Sequence, residues 1–348
     1  MAKKIFIITP ESSPGAAFYR LKLWQSGLIQ AGINLEIIYL STKTKNRMLK
    51  KVFGLIQLIR VLLIHPSNII WIYGHISGKS AIILRFKKFI IERTEYPYHI
   101  IIDKYSKKQD LTYYINASGF ITCSDALIEY YSSFTNKDCG FLNASLLVDY
   151  DRFANEKYVN PIKGKRYIAY CGYMGNNKDG LYDLLEAFKL VSNKVKDLTL
   201  CLIGGAEESE MNKIRRYTAK LGLENDVVFT GYVEHEKIPE YLKFAEVLLL
   251  SRPANKQAEG GFPSKLGEYL ATGNPVLVTA VGDIPNYIKA RKNGFIVTPG
   301  NPKLFADELY YILTNKEVAK RVGKEGQALA KREFDYKVQA ERLINFLD

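Results

Sequence analysis

The feature of this sequence that most constrains its fold is a regular alternation of short apolar runs with longer helical patterns. The runs are rich in Ile, Val and Tyr, and the segments between them carry apolar residues at helical spacing. This alternation is typical of βαβ units, in which parallel strands are buried beneath helices. The fold class that it predicts is therefore α/β, with parallel sheets.

The alternation occurs in two series, and a polar segment separates them. Residues 155–166 contain Pro161 and Gly164 and lack apolar periodicity, which indicates a linker. The strands predicted before it are 4–9, 35–40, 69–73, 89–92 and 120–122, with a helix over 17–31, and those predicted after it are 167–171, 198–203, 227–230, 247–250, 275–279 and 294–297. We therefore expect two Rossmann-like domains, residues 1–160 and 161–331, that bind ligands where their strand ends face a central cleft.

Composition and charge narrow the class of protein. The chain has 348 residues, of which 47% are hydrophobic and 24% charged, so it can bury two cores and is not disordered. The net charge is +13, and from Lys43 to Lys88 there are ten basic residues and no acidic one. That segment suits the phosphates of lipid head groups or of nucleic acid, although scattered surface lysines would give the same count.

The spacing of the cysteines and the length of the apolar segments indicate the cellular compartment of the protein. The four cysteines are widely spaced without a CxxC pair, which argues against a disulfide framework or zinc site and favours a reducing cytosol. The N-terminus runs directly into a strand pattern, and the longest apolar stretch, 52–64, is too short to span a bilayer. We expect a cytoplasmic protein. The helical pattern over 46–64 is apolar on most sides, so it is either a core helix or a helix that lies on an anionic membrane.

The most informative motif covers residues 259–278, where a Gly-Pro turn, a helix and a strand follow one another. Ser264 is a candidate N-cap, and Lys265 lies in the first turn of the helix. The free N–H groups of a helix start and an adjacent ammonium favour an anion. Glu268, one turn further along, can accept two hydroxyl hydrogen bonds from a sugar or ribose. A solvated helix glutamate is the alternative.

Two further loops can approach a ligand closely. The segment 170–180 has Gly172 at a strand end and Lys178 just before the next helix, and Gly15 precedes the first helix. Neither loop is GxGxxG, and no P-loop motif occurs, so NAD binding and P-loop chemistry are disfavoured. No two histidines are spaced as a metal pair, and no GxSxG motif is present.

These motifs, taken in order, resemble those of a GT-B glycosyltransferase and are similar to glycosyltransferase family 4. The segments that carry the resemblance are IAYCGYMGNNKDGLYDLLEAF, LTLCLIGG, VVFTGYV, IPEYLKFAEVLLL, GFPSKLGEYLATGNPVLVT and NGFIVTPGN. The resemblance implies transfer of a sugar from a nucleoside-diphosphate donor, with retention of configuration and with neither a metal nor a cofactor. The acceptor would be a glycan or a lipid-linked glycan, reached from the inner face of the cell membrane if the protein attaches there, and no nucleic acid partner is expected.

The resemblance also implies roles for individual residues. Lys178 and Lys265 would stabilise the leaving diphosphate, Glu268 would hold the ribose hydroxyls, and Tyr232 and Val233 would contact the base.

The first glutamate of the family's paired motif would fall at Gly260, so its neighbour Glu259 is a candidate for the missing catalytic carboxylate. Glu92 or Glu95 would face the acceptor, or form a salt bridge in a loop. The C-terminal helix, residues 332–348, would return to the first domain. Two alternatives stay open, a nucleotide-sugar epimerase of the same fold and a degenerate subunit that binds a partner.

Overall fold

The computed structural model describes residues 4–9, 15–40, 52, 56, 59–60, 69–74, 89–97, 112–154 and 157–348. The chain divides into two compact units. The first comprises Met1–Leu147, Gly260–Phe262 and Tyr336–Asp348, and the second comprises Val148–Glu259 and Pro263–Asp335. Each unit has a parallel sheet with helices packed on it, which confirms the predicted α/β class with two Rossmann-like domains.

The first unit has six strands among its described residues, in the order β2-β1-β3-β4-β5-β6. The strands are β1 (Ile5–Thr9), β2 (Leu35–Tyr39), β3 (Ile69–Tyr73), β4 (Phe89–Arg93), β5 (Ala117–Thr122) and β6 (Gly140–Asn143). The helices of this unit whose bounds are described include α1 (Ala16–Gln30), α2 (Asp125–Ser132) and the C-terminal helix (Tyr336–Leu347). Strands β1 and β4 are buried throughout, as expected for parallel strands that are covered on both faces.

The C-terminal helix belongs to the first unit and packs on α1. A Cβ atom at Gly27 of α1 would lie 2.7 Å from the Cβ of Ala340, so glycine permits the close approach of the two helices. The helix Tyr336–Leu347 is therefore part of the first unit, although it follows the second unit in the sequence.

The second unit has the strand order β12-β11-β10-β7-β8-β9 among its described residues. The strands are β7 (Arg166–Cys171), β8 (Leu198–Ile203), β9 (Val227–Gly231), β10 (Leu248–Leu250), β11 (Val276–Thr279) and β12 (Phe295–Val297). The helices are α3 (Leu181–Ser192), α4 (Glu208–Lys220), α5 (Ile238–Lys243), α6 (Lys256–Gly260), α7 (Ser264–Ala271), α8 (Ile284–Tyr287), α9 (Pro302–Thr314) and α10 (Lys316–Leu329). The strand order reverses between β7 and β10, which is the place where such sheets bind ligands.

The division between the units differs from the one that the sequence predicts. The units divide after Leu147 and after Asp335, not after 160 and 331. Val148 forms a parallel bridge with Asp335, and its N–H donates to the carbonyl of Phe334 at 2.8 Å. Residues 148–154 and 157–160 therefore belong to the second unit, although they precede the predicted boundary.

Most of the basic segment and of the 46–64 helical pattern lies outside the described residues. Within it, Val52, Ile56, Ile59 and Arg60 are described, and all four are helical and exposed. In the part of the chain that the structure describes, no helix is long and apolar enough to cross a membrane.

Candidate functional site

The candidate site of the second unit lies at the carboxyl edge of its sheet, beside the reversal between β7 and β10. The loop after β7 carries Lys178, and the chain after β10 leads to α7 with Lys265 and Glu268. Parallel strands place these loops at one edge of the sheet.

Helix α7 begins at Ser264, and Pro263 occupies the N-cap position. The prediction that Ser264 is the N-cap is therefore wrong, because Pro263 is the residue with extended backbone (φ −74°, ψ 109°) that enters the helix. No described side chain caps this end. The first N–H groups of α7 keep their partial positive charge beside Lys265.

Lys265 and Glu268 form an ion pair on one face of α7, with Nζ 3.0 Å from Oε2. Burial works against the charge of Lys265, but the neighbouring Glu268 outweighs it and raises the pKa of the ammonium. Burial likewise disfavours the charge of Glu268, but Lys265, Arg152 and His235 together lower the pKa of its carboxyl. Both side chains are therefore charged at neutral pH.

Arg152 and His235 complete this group. Arg152 Nη1 lies 3.5 Å from Glu268 Oε1 and donates to His235 Nε2 at 3.0 Å, while Nη2 donates to the backbone carbonyl of His235. His235 Nε2 is 3.9 Å from Glu268 Oε1. Because arginine can only donate, Nε2 accepts, and the imidazole is neutral. Burial and the Arg152 charge both lower the pKa of His235, in agreement with that state.

We call these four residues, Arg152, His235, Lys265 and Glu268, the cationic cluster. With His235 neutral it holds two positive charges and one negative charge. Its three charged side chains are partly open to solvent, at 20% for Arg152, 28% for Lys265 and 14% for Glu268. The cluster can therefore attract an anion while its carboxylate accepts hydrogen bonds.

Tyr269 attaches α7 to the end of β7. Its hydroxyl accepts from the N–H of Cys171 at 2.6 Å and donates to the carbonyl of the same residue at 3.2 Å. Tyr269 is completely buried, so these bonds are protected from water. The position of Lys265 is thereby set relative to the loop that begins at Gly172.

That loop is held by a second polar network. The Tyr170 hydroxyl donates to Asp179 Oδ2 at 2.8 Å, and Arg252 Nε lies 3.3 Å from Asp179 Oδ1. The Ser251 hydroxyl is 3.1 Å from the carbonyl of Asp179 and 2.8 Å from that of Gly180. Half-buried Lys178 lies immediately before these residues, so the network places it next to the end of β10.

A Cβ atom at position 172 would lie 2.5 Å from the hydroxyl oxygen of Tyr170, so any larger residue than Gly172 would require that side chain to move. At the end of β9, Tyr232 is 84% exposed and Val233 is half-buried. These two residues follow Gly231, whose φ of +68° turns the chain out of the strand. The exposed ring of Tyr232 offers a flat apolar face to a ligand.

Glu259 lies on α6, where its carboxylate is 2.9 Å from Lys256 Nζ. Its neighbour Gly260 packs within the first unit, and its carbonyl accepts from Ser124 Oγ at 2.8 Å. A Cβ atom at Gly260 would lie 2.4 Å from the buried ring of Tyr96. A glutamate at position 260 would require that ring to move.

The first-unit candidates have different surroundings. Glu92 lies on β4, not in a loop, and is 2% exposed. Its Oε1 accepts from Arg20 Nε at 2.5 Å and from Trp24 Nε1 at 3.2 Å. Glu95 is exposed after the strand, and a Cβ atom at Gly15 would meet no described atom within 4 Å.

Sequence reasoning missed Arg152, His235 and the pair of Asp179 with Arg252. Arg152 lies in a 3₁₀ turn, Tyr150–Phe153, and His235 in another that follows β9. In the sequence, Arg152 and His235 lie next to motifs that carry the resemblance. Neither residue has a spacing to other residues that indicates a role.

Comparisons with known proteins agree with this geometry. Residues 151–329 match the family model described as glycosyl transferases group 1. The chain is 25% identical over 189 residues to spore coat protein SA of Bacillus subtilis, which covers 53% of this chain and 49% of that protein. It is 24% identical over 210 residues to a GDP-mannose-dependent alpha-(1-6)-phosphatidylinositol monomannoside mannosyltransferase of Mycobacterium tuberculosis. The aligned segment covers 58% of this chain and 54% of that protein. The chain thus spans about half the length of the curated relatives that it matches.

Among solved structures, Anabaena HepE in complex with UDP superimposes with a TM-score of 0.75, at 16% identity and over 99% of each chain. A similarity at that level of identity shows a shared fold.

Proposed function

Since the chain belongs to the family of group 1 glycosyl transferases, as its resemblance indicated, we propose that it transfers a sugar from a nucleoside-diphosphate donor to a glycan or lipid-linked acceptor, with retention of configuration. The observation that carries the proposal is the excess positive charge of the cationic cluster at the carboxyl edge of the second sheet. Such a site suits a ligand with a strongly anionic centre and hydroxyl groups beside it.

The diphosphate of the donor gains negative charge as it leaves the sugar. Preorganised cations and helix-start N–H groups lower the free energy of that charge in the transition state. Lys265 and the start of α7 supply both, and Lys178 on the adjacent loop supplies a second ammonium. We propose that these groups take the place of a metal ion, and that no cofactor besides the donor is needed.

The nucleoside would lie along the remaining residues. The ionised Glu268 carboxylate can accept both ribose hydroxyl groups, and the exposed ring of Tyr232 can stack on the base, with Val233 next to it. The crystal structure of Anabaena HepE contains UDP. UDP-sugars are therefore the first donors to test. Glu259 is the candidate for the carboxylate that position 260 lacks.

The acceptor is proposed from other observations. The Mycobacterium tuberculosis relative is named for a lipid-linked acceptor, phosphatidylinositol monomannoside. Val52, Ile56 and Ile59 are exposed and helical, and their spacing of four and three residues places them on one helical face. Together with the lysines from Lys43 to Lys88, this face supports peripheral attachment to an anionic inner membrane surface, in the assembly of a cell-surface polysaccharide or glycoconjugate.

The direct test is turnover of a panel of UDP-, GDP-, ADP- and TDP-sugars by the full chain, with glycan and lipid-linked acceptors, followed by NMR. The proposal predicts that one donor releases its nucleoside diphosphate and that the product keeps the anomeric configuration of the donor. An epimerised donor without transfer would indicate an epimerase. Binding of a donor without any turnover would indicate a subunit without catalytic activity. Either result would refute the proposal.

A further inference from the structure

One side chain of the cationic cluster connects two parts of the site. Arg152 lies in the 3₁₀ turn Tyr150–Phe153, which packs against α7 and α5. Its guanidinium donates to both the ring and the backbone carbonyl of His235, and it lies 3.5 Å from the carboxylate of Glu268. A single planar group thus contacts the segment that follows β9 and helix α7.

These contacts need the shape of arginine. The guanidinium presents its donors in a rigid fork, whereas a lysine offers one ammonium on a flexible stem. A lysine at position 152 would keep the positive charge. It would not hold the ring nitrogen, the carbonyl and the carboxylate at fixed distances from one another.

We propose that Arg152 is a positioning residue that sets the distance between the Tyr232–His235 segment and Glu268, and thereby decides which nucleoside the site accepts. The inference rests on the proposed function, in which that segment contacts the base and Glu268 holds the ribose. Base and ribose are joined by a single glycosidic bond, so the two contacts must lie within a limited range of distances from each other. A change in the distance between their two contacts would therefore weaken the discrimination between bases.

Arg152 could instead bind the diphosphate itself. Both of its terminal nitrogens, however, already donate to His235, and Nη1 also lies 3.5 Å from Glu268, whereas the Lys265 ammonium contacts only Glu268 among these residues and lies in the first turn of α7. The two roles predict different results. A positioning residue affects the choice of base, and a phosphate ligand affects the affinity for any diphosphate.

The contact can also be measured without a nucleotide. His235 faces Arg152, Glu268, Lys265 and Glu236. Burial and the Arg152 charge lower its pKa, so loss of that charge in Arg152→Met should raise the pKa of His235. An NMR titration would detect the rise, with the His235 signals assigned from their loss in His235→Ala.

The experiment is calorimetric titration of the full chain with UDP, GDP, ADP and inorganic pyrophosphate. The variants are Arg152→Lys and the matched control Arg166→Lys, whose arginine pairs with Glu246 at 2.6 Å on the surface of the same unit. In Arg152→Lys the ratio of dissociation constants between the preferred base and the others should fall about tenfold, and pyrophosphate affinity should stay within about threefold. The control should change neither quantity.

Three results would overturn the inference. An unchanged base ratio in Arg152→Lys would show that the contact sets no distance. An equal loss of affinity for pyrophosphate and nucleotides would make Arg152 a phosphate ligand. An unchanged pKa of His235 in Arg152→Met would show that Arg152 and His235 are not in contact in solution. If Arg152→Lys fails to fold, His235→Ala carries the same expectation for the base ratio. A folded wild type that binds no nucleoside diphosphate would defeat the proposed function, and this inference with it.

Discussion

Glu92 and Glu268 both form ion pairs with basic side chains, yet their pKa values move in opposite directions. Burial raises the pKa of Glu92 more than Arg20 lowers it, although the two side chains are only 2.5 Å apart. At Glu268 the positive charges of Lys265 and Arg152 outweigh burial, and the pKa falls. The number of cations around a carboxylate and its depth of burial decide the outcome, and closeness to one partner does not.

This difference predicts opposite pH dependences of stability. The folded pKa of Glu268 is below its ordinary value of 4.5, so its stabilising effect is present above pH 4.5 and is lost as the pH falls through the folded pKa. The folded pKa of Glu92 is above 4.5, so its effect on stability becomes less favourable as the pH rises through that pKa.

The measurement is thermal unfolding of the wild type, Glu268→Gln and Glu92→Gln between pH 3 and pH 7, which includes the range below 4.5 where Glu268 titrates. The deficit of Glu268→Gln relative to the wild type should grow with rising pH, and that of Glu92→Gln should shrink. Slopes of the same sign for the two variants would contradict the assigned charge states.

At this scale the sequence predicted some residues of the site and could not predict others. Lys265 and Glu268 were predicted because a helix start and the spacing of one turn are local properties of the chain. Arg152 and His235 are 83 residues apart, and only the tertiary fold brings them together. For the same reason the sequence predicted for Glu92 only a salt bridge in a loop. In the structure Glu92 lies on strand β4 and pairs with Arg20 of helix α1.

At the scale of the elements, the loop from β7 to α3 packs tightly against the chain after β10 at Gly180. This residue has a φ of +68°, and a Cβ atom there would lie 2.0 Å from the carbonyl oxygen of Ser251. Gly300 has a nearly equal φ of +72°, and a Cβ atom there would meet nothing within 4 Å. Substitutions at these two glycines therefore distinguish the effect of a left-handed backbone from the effect of a steric clash.

We predict that Gly300→Ala lowers the free energy of unfolding by about 1–2 kcal/mol, the effect of the left-handed backbone alone. Gly180→Ala adds a clash with a backbone carbonyl and should lower it by about 1–3 kcal/mol more. Because the clash displaces the loop that carries Lys178, it should also weaken donor binding. Urea unfolding and calorimetry would measure both effects. Equal losses of stability in the two variants would show that Ser251 does not restrict the loop.

Strands were the most predictable elements, because buried parallel strands are short continuous apolar runs. Every predicted strand has a counterpart in the structure. The strand that was missed, β6, has only four residues and is half-buried along its length, so its sequence GFLN lacks that pattern. The N-cap at Pro263 was missed because proline preceded a residue type that usually caps helices.

For the whole molecule, the uneven charge of the chain leads to a prediction about location. Each basic residue near an anionic bilayer contributes about 1 kcal/mol of binding. We predict that the protein floats with anionic liposomes at low salt, less in high salt and not with neutral lipid. Lys45→Glu, Lys50→Glu and Lys51→Glu together should abolish flotation.

The matched control makes the same change of charge in the second unit, with Lys194→Glu, Lys196→Glu and Lys220→Glu. It should float like the wild type. Failure of the wild type to float with anionic liposomes at low salt would favour a soluble acceptor, and equal loss in both triple variants would show that only net charge matters.

The measurement that tests the central claim most directly compares the binding of a nucleoside diphosphate with that of its monophosphate by calorimetry. In the wild type the diphosphate should bind about tenfold more tightly or better. Lys265→Met should remove most of that difference. Lys213→Met should preserve it, since Lys213 forms an i, i+3 pair with Glu210, at 2.6 Å, and its side chain is exposed on α4 rather than at the start of α7. Equal affinities for monophosphate and diphosphate in the wild type, or an undiminished difference in Lys265→Met, would contradict a diphosphate site at the start of α7.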